Sequence, residues 1–318
     1  MSSQKVNREI DEVISYAVIF ADRASSAVAL REEMRAYQIP YQTLSYQVEQ
    51  EKIPKNSIIL LQNFQALSAA DQRVKMLDDN KSCQEFLRVL FGIIQTVKSD
   101  AKLQLWCLAV LNGILEDHRG RLANYDRIQN SFNKCDIIGI LYDYIEGQTV
   151  TKKVQQAELA AHTLSIIIQG HEKWGVKDAE DSVKFLRWLL NSENEAIVGN
   201  TVKSACIALL CKNNMLAEVF VRDLQGVDLL QKWLQESCGS QSQKDQLAYN
   251  ALVVLWIISY HDYALTYFGD YDRALVEQIA KVLDYYNKEK IIRITCMLIE
   301  VSSQTCILIW PSLELDER

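Results

Sequence analysis

The sequence is poor in the two residues that most often interrupt regular secondary structure. Its 318 residues include only 11 glycines and three prolines. The prolines stand at positions 40, 54 and 311, so the long stretch between residues 55 and 310 contains no helix-breaking ring. A β-sandwich or β-barrel of this length would need many more glycine and proline turns. These absences favour an all-α fold.

Long apolar runs are also missing. The longest, residues 251–258, is far shorter than the roughly 18–20 residues that span a bilayer. The amino-terminal residues carry no apolar segment of the kind found in secretory signals. We therefore expect a soluble, cytoplasmic protein that reaches a membrane only through a partner.

Positive charge is outnumbered by negative charge, with 34 Lys and Arg residues against 41 Asp and Glu residues. The formal net charge is −7, which argues against nucleic-acid binding because such proteins need a basic surface to replace counterions at phosphates. The eight cysteines form no Cys-x-x-Cys pair, and paired spacing is typical of zinc sites and disulfide frameworks. We predict reduced thiols that serve as small core side chains.

Motifs for catalysis or metal binding are incomplete. Residues 170–175 have the glycine spacing of a phosphate loop, but the Lys and Ser/Thr that should follow are Val176 and Lys177. Asp78 and Asp79 begin an aspartate-rich pattern whose third member is replaced by Ser82. The histidines are scattered without ligand spacing, at positions 118, 162, 171 and 261. We predict no catalytic, cofactor-binding or metal-binding residue, and we expect His162 to be a hydrogen-bonded core residue.

Amphipathic periodicity dominates what remains. Residues 6–37 carry apolar side chains mostly three or four apart, which predicts one long helix. Capping-box patterns beginning at Ser68 and Ser82 predict helices near 69–78 and 83–97.

Further along, the chain repeats itself. Four helices carry a small or branched apolar residue four positions before a leucine: Ala160/Leu164, Ala205/Leu209, Ala251/Leu255 and Ile294/Leu298. The leucines are 45, 46 and 43 residues apart. An amphipathic partner helix is expected before each one, over 137–144, 183–190, 227–234 and 275–283, with polar loops such as 191–195 and 237–244 between elements. This period predicts a right-handed α-solenoid of armadillo/HEAT-like repeats, whose deeper helices lie second in each pair.

A small basic edge near the carboxyl end is the best candidate for contacting a partner. Lys288, Lys290 and Arg293 stand where a turn is expected to enter a helix, and they could bind an acidic partner or be an ordinary solvated turn. Tyrosines concentrate in the same region, at positions 260, 263, 267, 271, 285 and 286. Such rings anchor protein interfaces or fill core and rim.

The order of several segments resembles a known family. These segments are 48–54, 67–72, Gln246-Leu247-Ala248-Tyr249-Asn250 running into Leu255-Trp256, and Lys288-Glu289-Lys290-Ile291-Ile292-Arg293. Together they are similar to the regulatory H subunit of the vacuolar proton-pumping ATPase (V-ATPase), most closely over 41–118 and 246–300. The resemblance implies a non-catalytic helical-repeat subunit, without a cofactor, that docks on the peripheral stalk of the E and G subunits. It also implies a role in coupling ATP hydrolysis to proton transport on the cytosolic face of vacuolar or endomembranes.

The resemblance also sets expectations for domain organisation. We expect a repeat domain over 1–304 and an irregular tail over 305–318, without the smaller carboxy-terminal helical domain that the family normally carries. Because that domain is associated with inhibition of the detached catalytic sector, inhibition is not carried over. Two alternatives stay open: an unrelated armadillo/HEAT adaptor, for example in trafficking, and an all-α enzyme.

Overall fold

A computed structural model describes the chain over residues 87–88, 90–95, 101–118, 136–151, 153–169, 176–194, 197–238, 245–261 and 273–300. The predicted helices at 6–37 and 69–78 and the tail at 305–318 lie outside these residues. The division into a repeat domain at 1–304 and a tail therefore stays a prediction.

The described residues are almost entirely helical, and they contain no strand. The helices are α1 (87–95, with residue 89 not described), α2 (Ala101–His118), α3 (Ile137–Thr151), α4 (Val154–Gln169), α5 (Val176–Leu190), α6 (Asn200–Leu210), α7 (Asn214–Glu218), α8 (Gly226–Cys238), α9 (Asp245–Ile258), α10 (Arg273–Tyr285) and α11 (289–300). None of the described helices is long and apolar enough to cross a membrane.

The chain forms two compact units, of which the first, the N-terminal unit, contains the described residues 87–185 together with 197 and 198. Here α4 packs against both α3 and α2. The contact between α3 and α4 is the helix pair expected within one repeat, and α4 also contacts α2, which lies earlier in the chain. The buried Asn112 of α2 donates a hydrogen bond to the Thr163 hydroxyl of α4 at 3.0 Å.

The second compact unit, the C-terminal unit, contains residues 186–194 and 199–300 among those described. Its α9 packs against α6 and α8, while α8 also packs against α10. First helices therefore stack on first helices and second helices on second helices, as repeats do. The prediction of an all-α fold built from helical repeats is confirmed.

The second helices α4, α6 and α9 form the core, as predicted, whereas the second helix of the last repeat, α11, buries only one face. Every residue of α9 from Gln246 to Ile258 is buried. Its partner α8 is amphipathic and buries one face, which includes Leu230, Trp233 and Leu234. A helix that is apolar all round is expected to be covered on all sides, whereas an amphipathic helix lies at a surface.

Some predicted boundaries were wrong because the apolar stretch marks only part of a helix. The helix expected over 183–190 begins at Val176, since the mostly polar residues 176–182 form its first two turns, with Asp178 favourable in the first of them. The loop expected over 237–244 begins later, because Ser237 and Cys238 are the last residues of α8. The polar stretch near 191–195 contains a short 3₁₀ turn, Ser192–Asn194.

One element was not anticipated. After α6, the Asn213 side chain accepts a hydrogen bond from the Leu216 amide and caps the short helix α7. A π-helical turn, Val219–Asp223, continues it. A further unexpected contact follows: Gly226, the first residue of α8, lies so close to the Phe220 ring that a β-carbon at this position would overlap it.

Candidate interaction surface

The predicted basic edge lies at the start of α11. Lys288 occupies the short connection from α10, while Lys290 and Arg293 belong to the first turns of α11. The structure brings the three residues to one end of the helix, but their partners differ.

Both lysines of the basic edge lie close to one carboxylate of the preceding repeat. The ammonium of Lys288 lies 2.7 Å from Oδ2 of Asp245, and that of Lys290 lies 3.5 Å from the same oxygen. Lys290 also donates to Oε1 of Gln246 at 2.8 Å and lies 5.3 Å from the centre of the Tyr249 ring. These contacts tie the start of α11 to the first turn of α9.

The pKa values of this cluster reflect both burial and pairing. Burial would raise the pKa of the Asp245 carboxyl, but the hydrogen bond from Lys288 and the charge of Lys290 outweigh it and hold the pKa below its usual value. Burial lowers the pKa of Lys290, and the nearby Asp245 charge only partly offsets this. The cluster thus consists of one carboxylate and two ammonium groups at the surface, in which Lys290 and Asp245 are mostly covered and Lys288 is half exposed.

Arg293 has a different environment. Its guanidinium donates to Glu289 at 2.6 Å, one helical turn earlier, and its side chain is 63% exposed. An exposed pair of this kind stabilises a helix by only about 0.3–0.5 kcal/mol, so a partner can replace it at small cost. Among the three predicted residues, Arg293 and the half-exposed Lys288 present charge to solvent, while Lys290 is mainly structural. Their use in partner binding stays a prediction.

The tyrosines near this edge divide between core and surface. Tyr286 is buried and donates to the Ser237 carbonyl at 2.7 Å, whereas its neighbour Tyr285 is exposed and meets it edge to face at 4.9 Å. Tyr260 is half-buried, edge-on to Trp256. The positions 263, 267 and 271 lie outside the described residues.

The remaining sequence candidates add no site. His162 is buried beside Asn112, with Nδ1 3.4 Å from the amide nitrogen, which agrees with its predicted core role. His261 contacts the Cys211 carbonyl at 3.2 Å. Cys107, Cys206 and Cys211 are buried as predicted, but Cys238 is only half-buried, and the prediction of a core thiol is wrong for Cys296, which is exposed. No group of residues able to hold a metal ion occurs in the part of the chain that the structure describes. Asp78, Asp79 and residues 170–175 lie outside it.

Sequence reasoning missed Asp245 and Gln246 as partners of the lysines. The available signal was their distance along the chain, 43 residues from Asp245 to Lys288 and 44 from Gln246 to Lys290, which is close to the repeat period. Residues one period apart in stacked repeats lie side by side.

Comparison with known proteins agrees with the helical-repeat architecture described above. No curated protein matches the sequence. The family model for the H subunit of the V-ATPase matches residues 25–302, which is most of the chain and includes every described helix. The stacked helix pairs and the match together show that the chain belongs to the V-ATPase H subunit family.

Proposed function

We propose that this chain docks on the peripheral stalk of the V-ATPase, formed by the E and G subunits, and supports the coupling of ATP hydrolysis to proton transport. The single observation that carries the proposal is the family match over residues 25–302. The family is a regulatory, non-catalytic subunit of the pump, so the prediction that the chain is not an enzyme is confirmed.

Interaction with other V-ATPase subunits follows from the family. The stalk as the specific partner is our proposal, and a helical-repeat protein is well suited to it because stacked repeats offer a long surface to an elongated partner. In this proposal the chain lies at the cytosolic face of vacuolar or endomembranes and is held there by the assembled pump.

Within that proposal, Arg293 and Lys288 contact acidic side chains of the stalk. The support is their exposed charge at one helix start, together with the low cost of releasing Arg293 from Glu289. Charges at the rim of an interface mainly raise the association rate and its dependence on salt.

Binding of the purified chain to a recombinant E–G heterodimer tests the docking. We expect a complex by size exclusion and a measurable Kd by calorimetry. An absence of binding at high micromolar concentrations would contradict stalk docking and would favour the alternative of an adaptor with other partners.

The contact residues need a separate experiment with a matched control. Arg293→Glu should weaken binding about fivefold or more, mostly through the association rate, and flatten its salt dependence. Arg222→Glu is the control, because Arg222 is also exposed and paired with a glutamate one turn earlier, Glu218, on another part of the unit. Equal effects of the two variants would show that only net charge matters.

A further inference from the structure

The last described helix presents an apolar stripe to solvent. On α11, Ile292 is 40% exposed, Ile299 is 52% exposed, and Cys296 between them is also exposed. Spacings of four and three residues place them on one helix face. The opposite face of α11 is buried, with Ile291, Ile294, Thr295 and Leu298 turned into the unit.

The repeat register identifies the positions in the earlier second helices that correspond to this stripe. The equivalent leucines of α6, α9 and α11 are Leu209, Leu255 and Leu298. A position in α11 therefore corresponds to the position 43 residues earlier in α9, and to the position a further 46 residues earlier in α6. The stripe positions then correspond to Tyr249, Val253 and Trp256 in α9, and to Lys203, Ile207 and Leu210 in α6. All six of those side chains are buried.

In α9, the burial involves the segment that follows it in sequence. Tyr249, which corresponds to Ile292, has the Lys290 ammonium of the next helix 5.3 Å from its ring centre. In α6, Ser204 and the Thr201 carbonyl accept hydrogen bonds from Asn250 of the next second helix. Ser204 and Thr201 lie beside Lys203, the position that corresponds to Ile292, and Lys203 itself donates to the Asn191 carbonyl, before α6, at 3.3 Å. The chain that follows a second helix therefore contacts the stripe-equivalent Tyr249 in α9 and a neighbouring face in α6.

We infer that the stripe of Ile292, Cys296 and Ile299 is a docking face for residues 301–318 of the same chain. Those residues follow α11 directly and include the apolar run Cys306-Ile307-Leu308-Ile309-Trp310. The stripe extends over about 10 Å, since a helix rises 1.5 Å per residue. A run of five residues is long enough to cover it.

The size of the stripe favours a tethered occupant over a separate molecule. Three side chains supply far less than the roughly 1,200 Å² that a stable interface between two proteins buries. A segment joined to α11 by a few residues needs no such area, because the tether holds it at a high effective concentration. The inference does not depend on the proposed stalk binding.

The reactivity of Cys296 tests the inference. The full chain and a chain ending at residue 304 are labelled with N-ethylmaleimide under native conditions, and the modified cysteines are resolved by peptide mass spectrometry. We expect Cys296 to react about tenfold or more slowly in the full chain, because a covered thiol reacts only when its cover opens. Equal, fast labelling in both chains would overturn the inference.

A second variant guards against misfolding of the shortened chain. Ile309→Asp in the full chain should raise the labelling rate of Cys296 to that of the shortened chain, while the half-buried Cys238 and the buried Cys206 keep their rates. Unchanged protection of Cys296 in this variant would also overturn the inference.

Sedimentation velocity at the labelling concentrations distinguishes coverage of the stripe by the chain's own residues from coverage by a second copy of the chain. A monomer with a protected Cys296 supports coverage by the chain's own residues. Protection that appears only together with a dimer would instead assign the stripe to a second copy and contradict the inference.

Discussion

The side-chain amide of Asn250 donates a hydrogen bond to the Ser204 hydroxyl at 3.2 Å, across 46 residues of sequence. Both residues are buried, one in the middle of α9 and the other in α6. The same nitrogen donates to the Thr201 carbonyl at 3.1 Å, and Oδ1 of Asn250 accepts from Gln246 at 2.7 Å. A polar side chain with all of these bonds made is a specific link between two repeats.

Asn250→Ala should therefore destabilise the C-terminal unit strongly. We expect the free energy of unfolding to fall by about 2–3 kcal/mol, because the change leaves a small cavity and removes the partners of buried polar groups. Urea denaturation measures it, with the exposed Gln235→Ala on α8 as a control that should change stability by less than about 0.5 kcal/mol. A loss for Asn250→Ala as small as that of the control would show that the bond contributes little.

Asp245→Asn should reveal the contribution of the lysine cluster and its pH dependence. At pH 7 we expect a loss of about 1–2 kcal/mol, since charged hydrogen bonds from Lys288 are weakened. The folded protein holds the pKa of Asp245 below its usual value, so this stability is present above pH about 4 and is lost as the pH falls through the folded-state pKa. The difference between the original chain and the variant should shrink below pH about 4. A difference that stays constant down to pH 2 would contradict the role of this carboxylate.

Lys212→Met should stabilise the protein at neutral pH. Burial lowers the pKa of Lys212 to about 8 at the end of α6, so the folded state binds this proton less tightly than the unfolded chain does. Stability should thus rise as the pH increases from about 8 towards 10.4, the usual lysine value. The variant should remove this part of the rise and gain about 1–3 kcal/mol at pH 7. Lys232→Met, at an exposed lysine, is the control and should keep the full slope.

Gly226→Ala should destabilise the protein by about 1–3 kcal/mol, because the added methyl group would overlap the buried Phe220 ring. Gly147→Ala in α3 is the matched control: its new methyl group meets nothing within 4 Å, so alanine should stabilise that helix by about 0.5–1 kcal/mol. Thermal unfolding of the two variants should shift Tm in opposite directions. Shifts in the same direction would show that contact with Phe220 is not the cause.

The sequence predicted the second helices of the repeats well, but it predicted the side-chain hydrogen bonds between neighbouring repeats poorly. A leucine every 43–46 residues is visible because burial on all sides leaves a long apolar segment, as in α9. The bond from Asn250 to Ser204 was not predictable, since single short polar residues in apolar helices carry no signal of their partner. The five-residue helix α7 was missed because it is too short to show a helical period.

The candidate site was located but not understood from sequence. Three basic residues within six positions are visible, and the structure does bring them to one helix start. That Lys290 is mostly enclosed against Gln246 and Tyr249, while Arg293 is exposed, depends on contacts one repeat away. A degenerate repeat does not fix the register well enough to predict such contacts.

The links on both sides of α9 have a consequence for the order in which the C-terminal unit loses structure. Asn250 joins α9 to α6, while Asp245 and Gln246 join it to Lys288 and Lys290 at the start of α11. Fraying of either flanking helix leaves the other link intact, so the amide hydrogens of α9 should exchange with deuterium last. Helix α11, with a solvent-facing stripe and links on one side, should exchange earlier, and its protection should track whatever covers that stripe.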